Sequence, residues 1–306
     1  MPAAGRMNAL APPVQQNALR GILFMCLAAS LFPFLNASVK YLTQHYHLFE
    51  VAWVRGLSHF VFLALFFWPK HGFRPFRTRH PKLQAIRSCV SLASNLCYFT
   101  AISRLPLTDV AAIGFTSPFM VTALSVPLLG EKVGWRRWTA IGCGFFGALV
   151  VIRPGGAVWH WAAIFAFGSA FLYSVYQLLT RRAARYDSSE TSALYTTVAS
   201  MLVLGLLMPF LFEWPRTLVD GLLFLCLGLF GGLGHFFVAK ALQLAEASVV
   251  APFNYVQLLG TVVLSYLVFG DFPDLYVWLG AALIVSSGLY IADRERRLAR
   301  AARTRP

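Results

Sequence analysis

The chain has 306 residues, of which 58% are hydrophobic and only 12% are charged, and its mean hydropathy is +0.64. A soluble domain of this length could not bury so much apolar surface, so the composition indicates a membrane protein. The formal net charge of +14 does not require a nucleic-acid partner, because the charge bias of membrane loops accounts for it.

Ten apolar stretches follow one another along the chain, most of them close to the roughly 20 residues that a helix needs to cross a hydrocarbon core. Each is expected to be a helix, since a helix satisfies its own backbone hydrogen bonds and since β-barrel alternation is absent. A segment without a clean cleavage site precedes the first stretch, which is therefore predicted to be retained. The predicted spans are 21–43, 49–68, 85–104, 106–129, 138–153, 159–180, 191–212, 218–242, 247–269 and 275–293.

Residues at the ends of the apolar stretches recur after 140 positions, so that Glu50 corresponds to Glu190 and Gly130 to Gly270. This echo predicts a duplication of five helices, and because five is odd, the second half must enter the membrane inverted. The predicted fold class is an all-α polytopic membrane protein with ten transmembrane helices in two inverted five-helix repeats. The predicted domains are a cytoplasmic segment 1–20, a first repeat 21–153, a second repeat 159–293 and a basic cytoplasmic tail 294–306.

The cations are distributed unevenly among the loops. If both termini are cytoplasmic, the cytosolic segments carry 19 Lys and Arg residues, whereas the outer loops carry only Arg104, Arg153 and Arg216. Positive loops stay in the cytosol, so the asymmetry predicts a multi-pass protein of the cell inner membrane with both termini inside. The basic tail would either rest on anionic membrane lipid or act as a stop signal for the last helix.

Several chemistries are excluded by missing or misplaced motifs. The five cysteines lie in apolar spans without paired spacing, so no disulfide or metal site is expected. No phosphate-binding loop is present, so no cofactor is expected and transport must draw on gradients or exchange. Gly142, Gly144 and Gly147 have the spacing of a dinucleotide fingerprint, but they lie inside the fifth span and are interpreted as helix-packing positions. No catalytic residue is expected.

Ordered motifs in both halves resemble the two repeats of the EamA family. The resemblance covers roughly residues 20–293, and it departs from the family pattern where Asp271 stands in place of the commoner Glu. The motifs are Leu105-Pro106-Leu107-Thr108-Asp109, Phe115-Thr116-Ser117-Pro118-Phe119, Gly130-Glu131-Lys132, Arg136-Arg137-Trp138 and Ile152-Arg153-Pro154-Gly155 in the first half, and Ala251-Pro252-Phe253-Asn254-Tyr255 and Phe269-Gly270-Asp271 in the second.

The resemblance implies membership of the drug/metabolite transporter superfamily, with ten helices, alternating access and a central cavity between the repeats. It does not imply a particular substrate, since relatives carry amino acids, S-adenosylmethionine, riboflavin and other metabolites in either direction. The start of the second span, 49–55, is most similar to the S-adenosylmethionine carrier group.

Polar side chains inside the spans indicate the solute path, because such residues are costly in a bilayer. Asn36 and Lys40 share one face of the first helix, and Asn95 and Tyr98 share one face of the third. Faces of this kind are expected to converge on one cavity near the midplane. The predicted substrate-binding residues are Asn36, Lys40, Arg55, Asn95, Tyr98, Thr116, Ser117, His235, Asn254, Tyr255 and Gln257.

Alternatives stay open for two of these cations. Lys40 would either bind a carboxylate or extend to the outer surface. Arg55 would either receive a carboxylate or phosphate, or form an ion pair with Glu50 or Asp109.

Other polar residues also have two interpretations. Arg87 and Lys240 lie at cytosolic ends of spans, where snorkelling to the surface is expected instead of ligand binding. His235 is either a proton relay or a hydrogen-bonded core histidine. No carboxylate lies in the middle of a span, so the sequence singles out no acidic residue as a proton or sodium carrier. Proton coupling, exchange and facilitated flux therefore all remain open.

The sequence as a whole favours a secondary transporter of a small metabolite over an enzyme. Cations without matching deep anions favour a solute with an anionic group, such as an amino acid or a related carboxylate compound, with export preferred. The alternatives are uptake of S-adenosylmethionine-like, nucleoside-like or flavin-like solutes and, from another class, an integral membrane enzyme acting on lipid. A homodimer is left open.

Overall fold

The computed structural model describes residues 17–130, 134–152 and 161–303, and in these ranges all regular secondary structure is helical. This agrees with the predicted all-α fold class. The helices are α1 (Ala18–Leu42), α2 (Leu48–His71), α3 (Pro81–Ile102), α4 (Leu107–Gly114), α5 (Ser117–Leu129), α6 (Trp135–Ile152), α7 (Ala162–Ala183), α8 (Ser189–Tyr195), α9 (Met208–Leu211), α10 (Leu218–Leu244), α11 (Ala247–Val250), α12 (Gln257–Phe269) and α13 (Leu275–Arg303).

Seven helical stretches in the described part of the chain are long and apolar enough to cross a membrane. The other three predicted spans also fall on helices, at α6, at the interrupted stretch that begins with α8, and at α13. They are not among the seven, so the count of ten spans stays a prediction. The seven stretches are Ala18–Leu42, Leu48–His71, Pro81–Ile102, Leu107–Leu129, Ala162–Ala183, Leu218–Leu244 and Ala247–Phe269.

The 140-residue echo of the sequence reappears in the helix boundaries. Helices α5 and α12 each contain 13 residues, and they begin 140 positions apart, at Ser117 and Gln257. Both end at a left-handed glycine, Gly130 with φ 71° and Gly270 with φ 70°, a conformation that glycine adopts without steric cost. The two halves therefore share helix lengths and helix ends as well as the recurring residues of the sequence.

The fourth helical stretch of each half is interrupted near its middle. In the first half, α4 ends at Gly114 and α5 resumes at Ser117, with Pro118 in its first turn, where the missing N–H of proline is tolerated. The hydroxyl of Thr116 donates to the carbonyl oxygen of Ile113 over 2.7 Å and so satisfies one acceptor at the break. In the second half, the 3₁₀ turns Ala251–Val256 separate α11 from α12.

The halves pack mainly against each other. Helix α1 lies along α10 and α3 lies along α7, and these two pairs exchange under the 140-residue shift. In the same way α5 packs on α7 as α12 packs on α1, and α6 packs on its own equivalent, α13. This is the pattern expected of two repeats related by an approximate two-fold axis, and it places the core between them.

Helix α6 corrects one interpretation of the sequence. The glycines with dinucleotide-like spacing lie inside a continuous helix, which agrees with the rejection of that fingerprint. Close packing does not explain Gly142, however, since no heavy atom lies within 4 Å of the place where its Cβ would be.

Gly228 of α10 lies close against the backbone of Ser58 in α2, and Gly228→Ala is expected to destabilise the fold. A Cβ at this position would lie 2.5 Å from the backbone carbon of Ser58 and 2.6 Å from its carbonyl oxygen, so a helix must move. Overpacking of this kind costs about 1–3 kcal/mol. The measurement is the thermal unfolding midpoint of the purified protein in detergent. Gly221→Ala in the same helix is the matched control, because its nearest neighbour, Cβ of Pro215, lies 3.8 Å away; equal midpoints would contradict the argument.

Candidate functional site

A cavity of about 120 Å³ lies between the two repeats. Its walls come from α1, α2, α3 and the interrupted α4–α5 stretch of the first half, and from α7, α10 and the turn before α12 of the second. Eight of the eleven residues proposed from the sequence line it, so their polar faces do converge. They are Asn36, Arg55, Asn95, Tyr98, Ser117, His235, Asn254 and Gln257.

Arg55 supplies the positive charge of the cavity and is only 4% exposed. Its Nη2 atom donates to Nε2 of His235 over 2.9 Å, its guanidinium lies 5.7 Å from the centre of the Phe99 ring, and its Nε atom has no hydrogen-bond partner. Of the alternatives left open for Arg55, the ion pair with Glu50 is not formed; the backbone N–H of Glu213 donates to that carboxylate instead. Among the described residues, no carboxylate neutralises Arg55, whose charge therefore remains for a bound molecule.

His235 holds Arg55 in place. A guanidinium only donates, so Nε2 of His235 must be the acceptor, and in the neutral ring the proton sits on Nδ1. Nδ1 lies 3.2 Å from the hydroxyl of Tyr176, to which it donates. The ring also packs edge-on against Phe32, with centroids 5.5 Å apart. This geometry favours the hydrogen-bonded core histidine of the two interpretations drawn from the sequence.

Aromatic side chains form a second part of the cavity wall. Tyr98 and Tyr173 both line it, and the hydroxyls of both are buried without a hydrogen-bond partner. Tyr173 stacks on Tyr176 with centroids 5.8 Å apart. Two unsatisfied phenols beside a cation offer hydrogen bonds to a ligand and flat surfaces to a ring. Tyr173 is not among the site residues predicted from the sequence, because its spacing does not distinguish it from the other tyrosines of the spans.

The amides of the cavity differ in how far the protein already satisfies them. Nδ2 of Asn254 donates to the carbonyl oxygen of Ala251 over 3.1 Å, and Nδ2 of Asn95 makes a long contact of 3.4 Å to Ser91. The side-chain amides of Asn36 and Gln257 make no hydrogen bond to other described residues. These two amides are therefore the more available ones for a solute.

The remaining three candidates lie outside the cavity lining and hold the structure around it. Lys40 is 7% exposed and pairs with Asp271 over 2.8 Å, so it neither snorkels nor faces the cavity. Thr116 bonds back to its own helix, as described above. Tyr255 packs edge-on against the Phe115 ring, with centroids 5.6 Å apart, and also against Phe119.

Arg87 contradicts the expectation that it snorkels, because it is fully buried. Its Nε donates to Gln84 over 2.9 Å and its Nη2 to the carbonyl oxygen of Ser192. Its Nη1 donates to the hydroxyls of Tyr176, Thr180 and Thr196, so the guanidinium joins α3, α7 and the α8 region. A hydrophobicity pattern cannot reveal this role, since it depends on acceptors about 90 to 110 positions away.

Contacts between the repeats occur at the N-terminus of α10 and at the equivalent N-terminus of α3. At the N-terminus of α10 the hydroxyl of Tyr46 donates to Asp220 over 2.9 Å. Under the 140-residue shift these positions become Tyr186 and His80, whose rings lie 4.0 Å apart. That second contact involves the N-cap residue of α3. Separately, Arg181 of α7 donates to the carbonyl oxygen of Leu242 near the C-terminus of α10.

Comparison with known proteins agrees with this architecture. The model of the EamA-like transporter family matches residues 19–153 and 160–292. A riboflavin transporter of Rhizobium johnstonii is 31% identical over 287 residues, covering 92% of this chain and 93% of the relative. An S-adenosylmethionine uptake transporter of Rickettsia felis is 26% identical over 259 residues, 84% of this chain and 87% of the relative. A pseudopaline exporter of Pseudomonas aeruginosa is 26% identical over 288 residues, 90% and 97% of the two chains.

A solved crystal structure has the same fold, with a TM-score of 0.70, 18% sequence identity, and coverage of 93% of this chain and 98% of the other. Both family matches follow the two halves seen in the helix boundaries. The chain therefore belongs to the EamA-like transporter family and is a multi-pass membrane protein built from two EamA repeats.

Proposed function

We propose that this protein is a secondary transporter of a small, ring-bearing metabolite whose acceptor atoms bind Arg55. The observation that carries the proposal is a cavity between the repeats with one buried cation, no acidic residue in its lining, and two unsatisfied tyrosine hydroxyls. Asn36 and Gln257 would bind further polar atoms, and the aromatic wall would receive the ring.

The charge of the cavity favours neutral or anionic solutes over cationic ones. A second positive charge roughly 5 Å from Arg55 would cost about 3 kcal/mol at an effective dielectric constant of about 20. That argues against binding of an S-adenosylmethionine-like solute with its sulfonium beside Arg55. A flavin-like solute fits better, since its ring carbonyls are acceptors, and a riboflavin transporter is among the similar relatives.

A carboxylate metabolite of amino-acid size is the second candidate. It is favoured by the unneutralised guanidinium of Arg55 and by the cavity volume of about 120 Å³, well below the 300–1,000 Å³ typical of sites for drug-sized ligands. In this conformation the cavity would have to widen for a flavin, whereas a small carboxylate needs less space.

The proposed mechanism is alternating access by rocking the two repeats, which we take as 21–153 and 159–293. Two contacts would break in turn: Tyr46 with Asp220 at the N-terminus of α10, and Tyr186 with His80 at the N-terminus of α3. Both termini and the Tyr186 end would be cytoplasmic in an inner membrane, as the cation distribution favours. Reporter fusions after residue 75 and after residue 215 check this arrangement, because they should report opposite sides of the membrane.

The test of function is riboflavin flux in proteoliposomes containing the full-length protein, followed by the fluorescence of riboflavin itself. We expect saturable riboflavin flux that S-adenosylmethionine does not inhibit. In a second assay with the same proteoliposomes, flux of a radiolabelled amino acid without flux of riboflavin would favour the second candidate. Mass spectrometry of the transported compound should show it unaltered, whereas a new chemical species would indicate an enzyme. Flux in neither assay would contradict the proposed solutes.

A further inference from the structure

The face of α7 that lines the cavity continues beyond it. This helix contributes Ala166, Ser169, Ala170 and Tyr173 to the cavity wall. Gln177 lies eleven positions after Ala166, which is about three turns of helix, so it shares their face. Gln177 is fully buried and is not part of the cavity lining. The cavity-lining face of α7 therefore extends by one turn to a polar side chain.

The amide of Gln177 is unsatisfied. Neither its Oε1 nor its Nε2 atom has a hydrogen-bond partner in the described structure. A side-chain amide has two donors and an acceptor oxygen, and leaving them unpaired away from water is costly. Leucine would fill a similar volume without that cost, so packing alone does not explain this residue.

The face of α12 that meets the cavity continues in the same way. Gln257 lines the cavity, and Thr261 and Ser265 follow it at four and eight positions. Both hydroxyls are fully buried and have no hydrogen-bond partner in the described structure. Helical hydroxyls commonly donate to a carbonyl oxygen about one turn back, as Ser125, the repeat equivalent of Ser265, does to Thr122 over 2.9 Å. Thr261 and Ser265 make no such bond.

The repeat relation also argues against a role in packing. Under the 140-residue shift, Gln177 corresponds to Ala37 and Thr261 to Val121, and both equivalents are buried and apolar. The same scaffold thus accepts apolar side chains at these places. The polar groups are therefore specific to one exit from the cavity in each case.

The two faces lead to opposite ends of the molecule. One turn beyond Gln177 on α7, Arg181 donates to the carbonyl oxygen of Leu242 over 2.7 Å, at the C-terminal end of α10. On α12, the carbonyl oxygen of Ser265 accepts from the backbone N–H of Asp271 over 3.2 Å, and the Asp271 carboxylate, 35% exposed, pairs with Lys40. With both termini in the cytosol, α7 runs towards the cytosol and α12 towards the outer surface.

We propose that these two faces are the routes by which the solute leaves the cavity. Gln177 binds the solute on its way to the cytosol, and Thr261 and Ser265 bind it on its way to the outer surface. The inference rests on the proposed function, whose rocking motion opens one route at a time. Polar groups along a route replace the water that a solute loses inside the protein. They have no partners here because both routes are closed in this conformation.

The first experiment needs no solute. Gln177→Cys and Ser265→Cys are introduced singly into the full-length protein, and sealed membrane vesicles of each orientation are treated with a membrane-impermeant thiol reagent. Peptide mass spectrometry assigns the labelled sites. We expect the Gln177→Cys variant to react only from the cytosolic side and the Ser265→Cys variant only from the outer side.

Thr197→Cys is the matched control for labelling. The Thr197 hydroxyl is also buried without a hydrogen-bond partner in the described structure, but the residue lies on neither face. The Thr197→Cys variant should therefore be unreactive from both sides. The proposal is wrong if neither test variant reacts, if both react from the same side, or if the control reacts equally.

The second experiment separates passage through the protein from binding in the cavity. In Gln177→Leu the affinity for riboflavin, measured by the quenching of flavin fluorescence, should match the wild type, because the cavity lining is intact. Turnover in proteoliposomes should fall about tenfold, as expected for the loss of one hydrogen bond along the route. The unfolding midpoint in detergent should not fall, since the amide is unsatisfied in the folded protein.

Thr197→Val is the control for transport and should turn over like the wild type. Unchanged turnover in Gln177→Leu, or a lower unfolding midpoint that accounts for the lost flux, would show that Gln177 is only structural and would overturn the proposal. If the wild type does not bind riboflavin, the proposed solute is wrong, and the thiol labelling alone decides whether the two routes exist.

Discussion

Arg55→Met is expected to reduce transport roughly 100-fold while the carrier remains folded. Charge-assisted hydrogen bonds contribute about 1.5–3 kcal/mol each, which corresponds to a loss of that size when the solute meets methionine instead of the guanidinium. Stability should change little, because the cost of leaving Nε2 of His235 without a donor, about 1–3 kcal/mol, is offset by removing a buried charge that has no ionic partner. The measurements are initial flux in proteoliposomes and the unfolding midpoint in detergent.

The control for this substitution is Arg104→Met. Arg104 is an exposed arginine that lies over the Trp161 ring at 5.8 Å, away from the cavity lining. The initial flux of the Arg104→Met variant should match that of the wild type. If Arg55→Met also transports normally, the guanidinium does not bind the solute, and the proposed site is wrong even if the protein is a carrier.

The polar faces of the cavity could be predicted because they follow from helix geometry within single helices. Asn95 and Tyr98 share a face of α3 by their spacing alone, and both line the cavity. The break near Thr116 and Pro118 has a similar local origin, as does the turn at Gly130. In each case the cause lies within a few positions along the chain.

The partners of the charged residues could not be predicted, since they are set by the packing of one repeat on the other. Lys40 meets Asp271 across 231 positions, and Arg55 meets His235 across 180. Composition correctly indicates that a cation in a span needs a partner, but the partner is fixed only once α1 and α2 lie against the second repeat. For the same reason the sequence pattern predicts Arg87 at the surface, although the residue is buried.

Arg55 and Arg87 are two buried arginines with different roles, and their surroundings explain why. Arg55 has one acceptor, a neutral imidazole, and an Nε atom without a partner. Arg87 has acceptors for each of its three nitrogens, all within the protein. A guanidinium with unused donors beside a cavity is suited to bind a ligand, whereas a saturated one is suited to join helices.

Arg87→Met is therefore expected to affect stability instead of transport. It should destabilise the folded carrier by about 3 kcal/mol. The substitution leaves Oε1 of Gln84 without its donor and removes one of the hydrogen bonds accepted by the carbonyl oxygen of Ser192. Both acceptors lie in a region closed to water, and each such loss costs about 1–3 kcal/mol. Arg87→Lys should restore only part of the stability, because one ammonium cannot reach acceptors on α3, α7 and the α8 region together. The measurements are the unfolding midpoint and the yield of monodisperse protein in detergent.

The same substitution at two buried arginines thus separates binding from folding. Flux per folded molecule should stay near the wild-type value in Arg87→Met at a temperature where the variant is folded, since Arg87 lies outside the cavity lining. If Arg87→Met folds normally and loses flux, the guanidinium acts on the solute through Tyr176 and His235, and its role in joining the helices is wrong. If both arginine variants unfold, Arg55 is a structural residue, and the charge of the cavity is no guide to its solute.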